Sequence, residues 1–261
     1  MPPPDLDLTA AYDHEVAAFE RLLRGADLEA VVPSCPGWTV ARLTDHLGRV
    51  HRNVCQMLAD PTPESGRWAK LPHAPEGPAI IEWFVEGARQ LAADLEAFTC
   101  ANAADATADA EETRVPTWAG LQPPTFWPRR MAHEAAVHRW DLEAATAPER
   151  PATALDPALA TDGIDEYFEV FVTHRLAPEA IAGLGACTFA LVATDVGRSW
   201  RVGADGSTVR WDTAGPTAAD LVLTGSASDL LLFLWNRVGV DGLAASGPRA
   251  AADRWHEHVR F

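Results

Sequence analysis

The stretch RMAHEAAVHRWDLEAA, Arg130–Ala145, decides the fold of the first half of the chain. It places Glu134 and His138 four residues apart, which on an α-helix of about 3.6 residues per turn puts both side chains on one face. His133 lies five residues before His138 and points roughly 140° away from it, so these two histidines do not share that face. The zinc-protease signature H-E-x-x-H does not fit, because its second histidine would fall at Val137.

The sequence on either side of this stretch shows the apolar periodicity of amphipathic helices. Four such helices joined by irregular loops predict a helical bundle. Thr39 is placed to cap the second helix, and Pro128 is tolerated in the first turn of the fourth. Residues 99–123 are expected to form a long loop. The predicted helices cover residues 5–24, 40–59, 80–98 and 125–145.

A change of composition at residues 147–157, APERPATALDP, predicts a boundary between two domains, 1–150 and 151–261. The second half begins with a predicted helix over 161–175. It continues with β-rich runs such as CTFALVAT and SWRVGA, separated by glycine-containing turns that are typical of hairpins. The expected fold class is therefore α plus α+β, in which a four-helix bundle precedes a smaller α+β domain with an antiparallel sheet.

One further histidine extends the Glu134–His138 pair to a candidate metal site. A catalytic zinc or similar divalent ion usually takes three protein ligands and keeps one position for water or substrate. His46 lies beside the apolar stripe of the second helix and is expected to face the bundle interior, whereas His51 is rotated away. Together, His46, Glu134 and His138 would form a His₂Glu ligand set that projects from facing helices.

The same residues allow less specific interpretations. An inward histidine in a helix is often a hydrogen-bonded core residue, and a Glu/His pair at i,i+4 can be a simple surface ion pair. Asp141 follows His138 by three residues on a nearby face. It could hydrogen-bond and orient a metal ligand or a water, or it could be a carboxylate on the helix surface.

The charge and composition of the chain disfavour several classes of function and partner. The formal net charge of -16 disfavours nucleic acid and anionic membranes as partners. The first residues lack the pattern of a signal peptide, and the apolar runs are too short to span a bilayer. The four cysteines are scattered, which suggests reduced thiols in the cytoplasm. We expect a cytoplasmic protein, monomeric by default, that acts on a small molecule.

Three segments resemble one known family. VPSCPGWTVARLTDHLGRVH (Val32–His51) and RRMAHEAAVHRWDLE (Arg129–Glu143) look like the two signature stretches of the mycothiol-dependent maleylpyruvate isomerase family, which belongs to the DinB-like metal-binding helical bundles. LLLFLWNRVGVDGL (Leu230–Leu243) resembles part of the family's C-terminal α+β domain. The resemblance implies a divalent metal, usually zinc, on His46, Glu134 and His138, with mycothiol as cosubstrate.

The resemblance also implies a role for an arginine late in the chain. Arg237, in WNRV, best matches the arginine that assists catalysis and binds the thiol in this family. It could instead satisfy carbonyl groups at a helix end. The acidic chain disfavours a strongly anionic substrate by long-range steering, so a dicarboxylate would need local help from Arg237 or from another arginine.

The reaction that this resemblance implies is the addition of a low-molecular-weight thiol to an electrophilic small molecule. An adduct that rotates and eliminates the thiol gives cis–trans isomerisation, whereas an adduct that persists makes the protein an S-transferase. Two alternatives stay open from the residues alone: a metal-dependent hydrolase or lyase that needs no thiol, and a non-catalytic small-molecule-binding member of the same superfamily.

Overall fold

The computed structural model describes residues 6–60, 69–104 and 114–261. The chain divides into two compact units, Asp7–Thr153 and Ala154–Phe261. Among the described residues, no helix is both long and apolar enough to cross a membrane. The predicted fold class is confirmed, because helices form the first unit and a sheet with helices forms the second.

The first unit is a helical bundle. In its described part, α1 packs mainly against α4, and α2 packs mainly against α3. The prediction that Thr39 caps the second helix is confirmed, since its Oγ1 accepts a hydrogen bond from the Arg42 amide at 3.3 Å. The helices are α1 (Leu8–Leu23), α2 (Val40–Ala59), α3 (Ala79–Ala104) and α4 (Phe126–Thr146).

The region 99–123, which we expected to be a loop, contains regular structure at both ends. The third helix continues to Ala104, and an antiparallel hairpin forms from β1 (Val115–Thr117) and β2 (Gly120–Gln122). Thr117 closes the turn, because its hydroxyl accepts from the Ala119 amide at 3.1 Å and donates to the Gly120 carbonyl at 2.8 Å. The part of the expected loop over 105–113 lies outside the described residues.

The buried face of α2 differs from the expected one. His51 was predicted to be rotated away from the interior, but it is completely buried. Its ring packs edge-on against Tyr12 and at a tilt against Phe84. The apolar stripe alone did not reveal this, because polar residues also occupy the buried face of α2. Gly48 completes that face: a Cβ there would lie 2.3 Å from the Trp83 ring, so a larger residue would displace this ring of α3.

The second unit begins with helices. The predicted helix over 161–175 starts earlier, at Pro157, because the Asp156 carboxylate accepts hydrogen bonds from the Ala158 and Leu159 amides. A π-helical segment (Tyr167–Val172) separates α5 (Pro157–Glu166) from α6 (Thr173–Arg175). The remaining elements are α7 (Pro178–Leu184), β3 (Ala186–Ala193), β4 (Arg198–Asp205), β5 (Val209–Asp212), β6 (Leu221–Gly225), α8 (Ala227–Leu234), β7 (Ala244–Ser246) and α9 (Ala250–His258).

The sheet of the second unit is mixed rather than purely antiparallel. Its described strands lie in the order β5-β4-β3-β6-β7. The pairs β3–β4 and β4–β5 are antiparallel, as the hairpin signatures predicted, and the pair β6–β7, which was not predicted, is antiparallel as well. The exception is β6, which pairs in parallel with β3 from Phe189↔Leu221 to Ala193↔Gly225. The chain between β5 and β6 crosses to the far side of β3, and no local turn pattern encodes that choice of edge.

Candidate metal centre

Helices α2 and α4 bring three residues of metal-binding types together inside the first unit. His46 comes from α2, and Glu134 and His138 come from successive turns of α4. Nε2 of His46 lies 3.2 Å from Oε1 of Glu134, and Nε2 of His138 lies 3.3 Å from the same oxygen. One ligand atom from each residue lies within 4.8 Å of the other two. Two imidazoles and a carboxylate are a donor set that zinc accepts.

The charge state of this cluster fits a cation. Burial alone raises the pKa of Glu134, but hydrogen bonds from His138 and His46 outweigh it and hold that pKa well below its usual value. Arg130 contributes to this effect, because its guanidinium lies 3.0 Å from Oε2 of Glu134. Glu134 therefore stays ionised, and its Oε1 remains directed at both histidines.

The carboxylate of Asp141 orients the His138 ring. Its Nδ1 lies 2.9 Å from Oδ2 of Asp141, and this contact turns Nε2 toward Oε1 of Glu134. Burial lowers the pKa of His138, but the hydrogen bonds to Asp141 and Glu134 outweigh it and raise the pKa to about 9. A carboxylate behind a ligating histidine is the usual partner that fixes the ring in metal sites.

The carboxylate of Asp141 is itself held in place. The structure overturns the possibility that Asp141 lies on the helix surface, since the residue is fully buried. Oδ1 accepts a hydrogen bond from the Ser34 hydroxyl at 2.6 Å, and the Cys35 thiol lies 3.5 Å from Oδ2. The loop before α2 therefore reaches α4 through Asp141 and supports His138 indirectly.

The cluster is accessible from the side of His46. Its side chain is 38% exposed, whereas that of His138 is 8% exposed. The Trp38 ring packs against His46 with the ring centroids 5.0 Å apart, and the guanidinium carbon of Arg42 lies 5.3 Å from the centre of Trp38. Trp38 therefore lies directly beside the exposed part of the cluster, with Arg42 next to it.

Two other residues from the sequence analysis take different places. His133 is buried on α4 and does not belong to the cluster. Arg237 lies just after α8 in the second unit, half-buried, and donates from its NH1 to the Trp235 carbonyl at 2.7 Å. This contact is of the kind expected for an arginine at a helix end. The structure thus gives Arg237 a local structural contact, and its role toward a thiol stays a prediction.

Sequence reasoning did not find Ser34, Trp38, Arg42 or Arg130 as neighbours of the cluster. The i,i+4 spacing of Arg130 and Glu134 is a signal that could have indicated their ion pair. Contacts of Ser34 and Trp38 could not be read in this way, because they lie in a loop of irregular backbone between α1 and α2.

Two family models match most of the chain. The family model described as the mycothiol maleylpyruvate isomerase N-terminal domain matches residues 9–143, and that of the corresponding C-terminal domain matches residues 158–254. None of the curated proteins matches the chain.

Two crystal structures of a mycothiol-dependent maleylpyruvate isomerase share the fold. The structure of a mutant form is 16% identical with a TM-score of 0.62, and another structure is 18% identical with a TM-score of 0.52. In both cases the alignment covers 93% of this chain and 94% of the other. At this level of identity the structural likeness supports the fold alone.

Proposed function

The chain belongs to the mycothiol maleylpyruvate isomerase family, a family of thiol-dependent isomerases, and we propose that it isomerises an electrophilic small molecule with a low-molecular-weight thiol at the His46–Glu134–His138 cluster. The resemblance predicted from the sequence is confirmed by this membership. The metal, the substrate and the use of mycothiol by this chain are parts of the proposal.

The observation that carries the proposal is the convergence of three donor atoms within 4.8 Å of one another, on the side of the bundle where His46 is exposed. His46, Glu134 and His138 would hold one divalent ion, most simply zinc. When bound, such an ion lowers the pKa of a coordinating thiol so that the thiolate predominates at neutral pH.

The chain's own residues prepare this site. Glu134 keeps its negative charge because Arg130 and both histidines face it. Asp141 holds the His138 ring in one orientation. This arrangement reduces the reorganisation needed when cation and thiol bind, which is the benefit of a preorganised site.

The proposed reaction balances without a further reactant. The thiolate sulfur forms a bond to one carbon of an activated cis double bond, and the π electrons move onto the adjacent electron-withdrawing group. The former double bond is then single and rotates. The electrons return, the carbon–sulfur bond breaks, and the trans isomer leaves while the thiolate is regenerated.

The test is turnover of a cis-unsaturated carbonyl compound, with and without mycothiol, by the metal-replete protein. We expect turnover that requires thiol, leaves its concentration unchanged, and falls at least about 100-fold in Glu134→Gln, since the anionic ligand is lost. Glu149→Gln is the matched control, because Glu149 is exposed and distant from the cluster in sequence.

Three other outcomes of this assay would each indicate a different function. Consumption of one thiol per product would identify an S-transferase. Turnover without thiol would favour a metal-dependent hydrolase or lyase. Ligand-induced stabilisation without turnover of any electrophile would favour the non-catalytic binding member of the superfamily.

A further inference from the structure

Arg42 differs from Arg130 and Arg49, two other arginines on the helices of the cluster, which are engaged with carboxylates. Arg130 pairs with Glu134 and Arg49 pairs with Asp45. Within the described part of the chain, the Arg42 guanidinium has no carboxylate at ion-pair distance, and its recorded contact is the face of Trp38. The residue is exposed to solvent.

Helix geometry places Arg42 on the same face of α2 as His46. Arg42 and His46 are four residues apart on α2, so their side chains leave the same face one turn apart. Trp38 lies against both: its ring centroid is 5.0 Å from that of His46 and 5.3 Å from the guanidinium carbon of Arg42. An exposed cation, an aromatic face and the exposed ligand His46 thus form one continuous surface.

This surface has the chemistry to recognise a carboxylate attached to a flat carbon skeleton. A guanidinium presents a planar fork of donors that matches the two oxygens of a carboxylate. The cation–π contact with Trp38 restricts the orientation of the guanidinium, and its N–H donors remain available for a carboxylate. The chain has a formal charge of -16, so an anionic substrate is repelled at long range and needs a local cation of this kind.

We propose that Arg42, positioned by Trp38, is the specificity-determining residue that binds the carboxylate of an anionic electrophile beside His46. The inference deepens the proposed function and rests on it for the identity of the reacting molecule. The anion site itself can be tested without any turnover.

The experiment measures binding of maleate, a simple cis-unsaturated dicarboxylate, and of its neutral diamide by calorimetry. The proteins are the wild type, Arg42→Gln, Arg42→Lys and Arg21→Gln, each at the same metal content. Arg21 is exposed on α1, so its replacement changes the net charge equally and controls for the general field.

We expect Arg42→Gln to weaken maleate binding about five- to tenfold and to leave the diamide unaffected, as for the loss of one partly exposed charge-assisted contact. Arg42→Lys should retain part of the binding, because it keeps the charge and loses the fork. Unchanged maleate binding in Arg42→Gln, or an equal loss in Arg21→Gln, would overturn the inference.

A turnover assay on the same proteins separates this inference from the proposed function. Weakened maleate binding in Arg42→Gln with no thiol-dependent turnover in any protein would retain the anion site and reject the isomerase. Thiol-dependent turnover of an anionic electrophile with the same KM in wild type and Arg42→Gln would retain the isomerase and reject the role of Arg42.

Discussion

Oδ2 of Asp141 lies 2.9 Å from Nδ1 of His138, and Asp141 is fully buried on the same helix. A buried carboxylate is costly unless hydrogen bonds satisfy it. Ser34 and His138 supply such bonds, so the position of Asp141 and the orientation of the His138 ring depend on each other. The metal affinity of the cluster should therefore respond to a residue that does not itself touch the ion.

Asp141→Asn tests this dependence. The amide is nearly the same size but lacks the charge that holds the proton on Nδ1 of His138, so we expect zinc affinity to fall about 10- to 100-fold. Competition with a chromophoric chelator measures the change, and Asp13→Asn, on the exposed side of α1, is the matched control. Equal affinities for wild type and Asp141→Asn would show that Asp141 does not act through His138.

Metal content should follow the three proposed ligands. Elemental analysis of protein purified without a polyhistidine tag is expected to find about one divalent ion per chain, lost in His46→Ala and in His138→Ala, because two remaining ligands do not close a site. His14→Ala, an exposed histidine of α1, should keep the ion. Wild-type protein that takes up no ion from excess zinc would contradict the metal centre.

His51 should make the fold sensitive to acid. Burial lowers its pKa to about 3, whereas the unfolded chain has the ordinary value near 6.5. The contribution of His51 to the free energy of unfolding is therefore constant above about pH 6.5. It decreases as the pH falls toward 3, by at most about 1.4 kcal/mol per pH unit, since only the unfolded chain takes up the proton. The charged or titratable groups that act on His51 are Glu134, Arg52, His138 and His46.

The measurement is urea unfolding of wild type and His51→Phe between pH 7.5 and 4.5. His51→Phe should lose less stability across this range, because the phenyl ring keeps the contacts with Tyr12 and Phe84 and cannot be protonated. His14→Phe should behave as wild type, since His14 is exposed. Parallel pH profiles for wild type and His51→Phe would exclude His51 as the source of acid lability.

The buried ion-pair network at Arg139 should contribute strongly to bundle stability. Its guanidinium bonds Glu15 of α1 at 2.7 Å and Glu143 of α4 at 3.2 Å. Arg139→Met leaves both carboxylates buried without this cation, and we expect a loss of about 3–5 kcal/mol in the free energy of unfolding.

Arg24→Met provides the comparison for Arg139. Arg24 also bonds two glutamates, Glu20 and Glu82, but its side chain is 44% exposed. Solvent screens exposed ion pairs, so Arg24→Met should lower the free energy of unfolding much less than Arg139→Met does. Losses of similar size in the two variants, measured by denaturant unfolding, would contradict the assignment of Arg139 to the core of the bundle.

Local patterns in the sequence were sufficient for the four helices of the first unit and for the Thr39 cap of α2. The period of α2 and α4 indicated the same three residues that the structure brings together, because a helix converts sequence spacing directly into direction. Hairpin signatures likewise located β3, β4 and β5. Helix α7 and strand β7, which are short, were not predicted.

Only tertiary structure decided the remaining features. The parallel pairing of β6 with β3, the burial of His51, the bond from Ser34 to Asp141 and the contact of Trp38 with His46 each join segments or faces whose relation no local periodicity encodes. The sequence by itself determined which residues share a face of one helix, since backbone geometry is nearly constant there. Which faces of different elements meet depends on how much apolar surface their packing removes from water. That packing involves segments far apart in the sequence, so local patterns do not determine it.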